Sequence, residues 1–188
     1  MIYDLPKSVE FGGRTWNINS DFRDVLTVLS AFEDPDLKDN EKAYVCLYNM
    51  YPDFDDIPKE QLQEAYEAIM GFIDHGSGNK KHTRRTIDWT QDADLLFPAV
   101  NNVAGYEVRS VEYLHWWTFL GLFMEIKEST YSTVLSLRQK KWVRHKKLEK
   151  WEQEFWANNK EICEIQRRET EEEKAEKAKL EAILGKSR

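Results

Sequence analysis

Leu114-His115-Trp116-Trp117-Thr118-Phe119-Leu120-Gly121-Leu122-Phe123-Met124 is apolar on nearly every side of a helix. A helix without a polar stripe belongs in the centre of a core, packed by others. The apolar run from Leu114 to Ile126 holds His115 and Glu125 and falls well short of the ~20 residues that span a bilayer. The remaining chain must therefore supply amphipathic elements that cover this segment.

It does so mostly as helices. Ser20 or Asp21 can cap a helix with Phe22, Val25, Leu26, Leu29 and Phe32 on one face, ended by Pro35. Asn40 to Tyr51 carries Tyr44, Leu47, Tyr48 and Tyr51 on a stripe. After a turn from Pro52 to Pro58, Leu62, Ala65, Tyr66, Ile69 and Ile73 mark a third helix. Thr90 can cap a fourth, with Ala93, Leu96, Phe97, Val100 and Val103 inward and Gly105 as its stop. Ser129 or Thr130 opens another, bearing Val134, Leu135 and Leu137. The exception is the start: Val9-Glu10-Phe11 and Arg14-Thr15-Trp16-Asn17-Ile18 alternate around Gly12-Gly13. Two adjacent residues free to take positive φ are a type I′ hairpin signal. The fold class is mainly α, with a short N-terminal β-hairpin.

Charge divides the chain. Residues 1–137 hold 12 basic and 23 acidic groups, a net of -11; residues 138–188 hold 15 and 11, a net of +4. This predicts a helical body over 1–137 and an extended basic and charged helix over 138–188. That segment has no proline and no glycine before Gly185, and its apolar stripe fades after Ile165. At 188 residues the body can bury about 70% of its unfolded surface without metals or disulfides. Composition points the same way. With 13% aromatic and 32% charged residues, the chain suits neither disorder nor a membrane. The N-terminus has no basic region followed by an apolar run, so no signal peptide is expected.

Few residues invite chemistry. Cys46 and Cys163 form no CxxC and read as free buried thiols. None of His75, His82, His115 and His145 pairs at i, i+4, and none is near a cysteine, so no metal site is expected. His115 reads as a core imidazole with one hydrogen-bond partner. Asp53, Asp55 and Asp56 lack the glycine and terminal glutamate of a calcium loop. Asp92 and Asp94 suit the positive end of a helix. No catalytic residue and no cofactor is expected.

Two basic segments remain. Residues 76–86 form a glycine-bearing basic loop, either a solvated linker or a phosphate contact. Arg138 to Lys150 carries seven basic groups against Glu149, with Trp142 interleaved. Three readings stand: the outer face of an amphipathic helix, a docking stripe for an acidic protein, and a nucleic-acid contact. The overall charge of -7 weighs against the last. Trp151 and Trp156 lie where the core thins, and tryptophan is enriched at interface hot spots. The expected partner-binding residues are Arg138, Lys141, Trp142, Arg144, Lys147, Trp151, Phe155 and Trp156.

Five stretches occur together in order: Thr15 to Phe22 (TWNINSDF) with Arg23, Ile87 to Ala93 (IDWTQDA), Tyr106, Leu114 to Phe119 (LHWWTF), and Arg138 with its lysine run. Over about residues 5–160 the chain resembles the bacteriophage "gene product fifteen" family of tail-module proteins. There "inTDFR", "DFexDa", "YGID", "LHWWxF" and an arginine before a basic C-terminal helix recur in that order. Here Trp89 replaces the phenylalanine, and Tyr106-Glu107-Val108-Arg109 stands for the "YGID" element, with the glycine one residue earlier at Gly105.

The resemblance implies a non-enzymatic tail assembly chaperone of a phage or prophage, working in the cytoplasm of the bacterial host. Its implied partners are the tail tube protein, the tape measure protein and the shorter tail assembly chaperone. Self-association through the C-terminal helix is a further expectation, and no membrane is involved. The alternatives are a nucleic-acid-associated phage factor using 80–85 and 138–150, and a structural head–tail component.

Overall fold

The computed structural model describes residues 4–75, 85–142, 147–166 and 168–185. A hairpin of β1 (Ser8–Phe11) and β2 (Arg14–Asn17) precedes helices α1 (Phe22–Phe32), α2 (Asp39–Met50), α3 (Leu62–Ile73), α4 (Ala93–Ala104), α5 (Trp116–Met124) and α6 (Thr130–Trp142). Three further helices follow: α7 (Lys150–Asn158), α8 (Lys160–Cys163) and α9 (Glu171–Gly185). The fold is mainly α, with one two-stranded antiparallel sheet among the described residues.

The hairpin turns as its glycines require. Gly12 and Gly13 sit at φ 57° and 71°, and Val9 pairs with Trp16. Phe11 stacks on Trp16 with ring centroids 5.2 Å apart and meets Tyr51 edge-on. β1 lies on α3, which supplies the support a lone hairpin lacks. Gly105, at φ 78°, ends α4 in the left-handed conformation.

The N-termini of α1 and α5 meet in one joint. Asp21 caps α1 through the Arg23 N–H and also accepts from Leu114 N at 2.9 Å. Phe22 N donates to Leu114 O, and Trp116 N donates to Ser20 O. His115 caps α5: its Nδ1 accepts from Trp117 N at 3.0 Å. Its Nε2 is therefore the protonated nitrogen and donates to Pro6 O at 2.8 Å. So His115 has two partners where one was expected. The indoles of Trp116 and Trp117 donate to Ile73 O and Phe72 O. Those carbonyls lie in the last turn of α3, where no i+4 helical N–H is left for them; Phe72 O takes the His75 N–H besides, so the tandem tryptophans help finish that helix.

α5 is buried on one side rather than all round. Trp116 and Phe119 are inside, whereas Thr118, Gly121 and Met124 face solvent. The tyrosine stripe of α2 also divides. Cys46, Leu47 and Met50 turn inward and Tyr51 is buried beyond the helix, leaving Tyr44 and Tyr48 outside.

The C-terminal third differs most from expectation. In place of one continuous helix from 138, α6 ends at Trp142, and α7, α8 and α9 are separate. Glu149 and Glu152 form a capping box that starts α7 afresh. Asn159, at φ -128° and ψ 37°, breaks the path between α7 and α8. Folding back buries Trp156 and Cys163 against Val134 and Leu137 as a second apolar cluster. An uninterrupted helix would leave Trp156 in water. The expected division at 137/138 falls inside α6.

Replacing His115 by Ala removes the α5 cap and the Pro6 tie together. The expected cost is about 1–3 kcal/mol, read as a lower urea midpoint at unchanged m value. His115→Asn, which keeps a capping acceptor, is expected to restore part of it.

Candidate functional site

The side chains with the densest polar bonding converge where α4, α6 and α8 meet. Arg138 comes from α6 and is 1% exposed. Its Nη1 and Nη2 grip Asp92 Oδ2 and Oδ1 at 2.7 and 2.8 Å. Nη1 also donates to Thr86 O, Nη2 to Ile162 O and Nε to Cys163 O. All five guanidinium N–H groups are thereby used. A buried arginine held only by its carboxylate would keep an unmet desolvation cost; three carbonyls offset it here.

A second tier lies above this pair. Asp92 Oδ2 accepts from Asp88 N at 3.0 Å. Asp88 Oδ1 caps the following turn through Thr90 N and Gln91 N. Its two oxygens also bind Arg168 and Arg85. Both arginines reach Glu33, the residue that ends α1, at 3.2 and 2.7 Å. Gln91 Nε2 donates to Glu161 O and Glu164 O, and its Oε1 accepts from Gln166 N. Glu171 N then donates to Asp36 Oδ1. Residues 161–166 and 168–171 are thus stitched across the end of α1 and the start of α4.

These charges wall a cleft of about 650 Å³ between the end of α1, α6 and residues 163–168. Trp156 and Ile165 give it an apolar side. Lys141 Nζ lies 3.8 Å from the centre of the Trp156 ring. Burial raises Asp88, but the Gln91 N–H and the two arginines outweigh it, leaving its carboxyl below the usual range. Glu33 goes the other way. Burial and the nearby Asp88 outweigh Arg85 and Arg168 and push it up to about 7. Burial also pushes up the Cys163 thiol, which makes it a poor nucleophile.

The expected partner-binding residues are scattered by this arrangement. Arg138 is inside the fold, spent on Asp92 and three carbonyls, and is unavailable to a partner. Trp156 is buried and Phe155 half-buried. Lys141, Lys147 and Trp151 are at the surface, Trp151 at 54% exposure. The Trp142 side chain and Arg144 lie outside the described residues. Of the basic loop, residues 76–84 also lie outside them, and Arg85 is held by Glu33 and Asp88. Lys140, a further member of the lysine run, is paired with the buried Glu152. Asp92, read from sequence as a helix-dipole charge, is the buried counter-ion of Arg138. The signal that would have found it was the recurrence of Asp88, Asp92 and Arg138 in one ordered motif set.

Among the described residues no group of three or more His, Cys, Asp or Glu is placed to hold a metal ion. Among those residues no helix is long and apolar enough to cross a membrane. A family model described as "Bacteriophage Gp15 protein" matches residues 1–165. The chain belongs to that family and is therefore a bacteriophage protein of particle structure or morphogenesis. No curated protein matches it, and no solved structure does.

Glu33 gives the network a pH signature. Its carboxyl rises from an ordinary 4.5 to about 7 on folding. Between those values the folded chain holds a proton that the unfolded chain releases. Its contribution is full below about pH 4.5 and declines as pH rises to about 7. Glu33→Gln removes that decline. The stability of Glu33→Gln relative to the parent is expected to rise across this window, by about 1–2 kcal/mol once solvent screening is allowed for, measured by urea unfolding at several pH values. A difference that stays flat or falls contradicts the assignment.

Proposed function

We propose that this member of the bacteriophage Gp15 family is a non-enzymatic tail assembly chaperone. It binds the tail tube protein, the tape measure protein or both during morphogenesis, in the cytoplasm of the bacterial host, beside a shorter chaperone partner. One observation carries the reading. The residues of the recurrent motifs are consumed in holding the fold: Asp21, Arg23 and His115 at the α1–α5 joint, Asp88, Asp92 and Arg138 under the cleft. What remains for other molecules is surface, and that surface keeps large apolar groups in water. Trp151 is 54% exposed and Met124 75% exposed.

A chaperone of polymerising subunits needs such a surface, because masking an association face means covering apolar area without enclosing a ligand. Lys147 and Lys150 precede Trp151 in sequence, and the Trp151 indole N–H donates to Glu149 Oε2; this exposed stretch at the start of α7 is the face we assign to a client. Buried Arg138 and exposed Arg85 add little to a nucleic-acid contact, since both are paired with carboxylates of this chain.

Co-expression with the tail tube and tape measure proteins of the same phage tests the reading. A soluble complex with at least one of them is expected, weakened about tenfold or more by Trp151→Ala with Lys147→Glu. Capture of neither protein, with the chain instead found in purified particles by mass spectrometry, contradicts it and favours a structural component.

A further inference from the structure

Tyr44 and Tyr48 stand one helical turn apart on α2, 56% and 62% exposed. Their rings stack at 5.9 Å with 14° between planes. Phe54, from the turn after α2, stands edge-on to both, at 5.4 Å and 6.0 Å. Phe54 is half-buried and packs on the main core, so the cluster is anchored rather than loose. Neither tyrosine hydroxyl makes a hydrogen bond among the described residues, and no core function explains the pair.

The surroundings are acidic. Residues 53–60 carry four carboxylates, Asp53, Asp55, Asp56 and Glu60, against Lys59 alone. Asp53, Asp55 and Asp56 are exposed and form no ion pair or side-chain hydrogen bond among the described residues. Lys42, on the neighbouring helix turn, is spent on Phe32 O.

We propose that this three-ring cluster and its aspartates form a docking surface for a basic amphipathic segment of another protein. The chemistry selects that occupant. Tyrosine faces carry negative potential and attract ammonium and guanidinium groups. Lysine and arginine stems lie along aromatic rings while their heads reach carboxylates beyond. Aliphatic side chains one helical turn apart match the spacing of Tyr44 and Tyr48. An acidic segment would meet Asp53, Asp55 and Asp56 with like charge. This surface belongs to elements other than α6 and α7, so it is separate from the Trp151 face and stands whether or not that face binds a tail protein.

The test uses the full chain and two labelled helical peptides of about 18 residues, about five turns. They share a leucine stripe and differ in carrying Lys or Glu opposite it. Fluorescence anisotropy is read at low and physiological salt, with nuclear magnetic resonance shifts to locate the contact. The Lys peptide is expected to bind, with shifts centred on Tyr44, Tyr48 and Phe54. Tyr44→Ala with Tyr48→Ala is expected to weaken it about tenfold or more. Asp53→Asn with Asp55→Asn and Asp56→Asn is expected to flatten its salt dependence. Circular dichroism and melting curves check that each variant remains folded; all five side chains are at the surface. Equal binding of the Glu peptide overturns the proposal, as does a Lys peptide indifferent to the tyrosine variant. Failure of the Lys peptide while the chain self-associates through these tyrosines also overturns it, and assigns the surface to a second copy.

Discussion

The Arg138–Asp92 pair is the interaction on which the shape of the C-terminal third depends. A guanidinium at 1% exposure must satisfy five donors, and no single element supplies enough acceptors. Asp92 provides two oxygens, Thr86 one carbonyl, and Ile162 and Cys163 two more. Burying Arg138 therefore requires the start of α4 and the end of α8 to arrive together. That requirement sets α8 against α6, and Trp156 of α7 joins Val134, Leu137 and Cys163 in the second apolar cluster. Residues 161–166 and 168–171 then lie across the end of α1, where Arg168 finds Glu33 and Asp88. Opening this pair alone would leave an uncompensated charge inside, a cost of about 3–5 kcal/mol.

The N-terminal half rests on a different device with the same logic. Asp21 caps α1 and ties it to Leu114 ahead of α5; His115 caps α5 and ties it to Pro6 ahead of the hairpin. Trp116 and Trp117 are core side chains whose indole N–H groups close α3. In each case one residue type meets two demands, apolar burial or capping and a long-range polar tie. Such residues tolerate little substitution, and the recurrent motifs coincide with them.

Much of the fold was legible in the sequence for local reasons. Gly12-Gly13, the apolar stripes of α1, α3 and α4, and Gly105 act within a few residues of themselves, and each element formed where its pattern stood. The readings that failed depended on distant partners. Arg138 sits in a run of lysines and looks like a surface charge, because only Asp92, 46 positions earlier, distinguishes it. The segment after it has helical composition throughout, yet Trp156 and Cys163 gain more by turning back than by continuing. Tyr44 and Tyr48 looked like part of an inward stripe because Leu47 and Tyr51 share their spacing; the orientation of α2 is set by Cys46, Leu47 and Met50. Of the candidate partner-binding residues, the surface positions of Lys141 and Lys147 were legible. Their separation from the buried members was not, since burial is a property of the whole assembly.

The motif residues form polar joints inside the fold, and Trp151, Met124, Tyr44 and Tyr48 keep apolar surface outside. The central claim is that Arg138 clasps the C-terminal third to the body. Amide hydrogen exchange of Arg138→Lys against the parent tests it most directly, because lysine keeps the charge but loses the five-donor fork. The account predicts that amides of α8 and of residues 86–92 exchange faster together, by about tenfold or more, equivalent to about 1.4 kcal/mol. The hairpin and α1 to α3 should keep their protection. Unchanged protection of α8 in the variant would contradict the account.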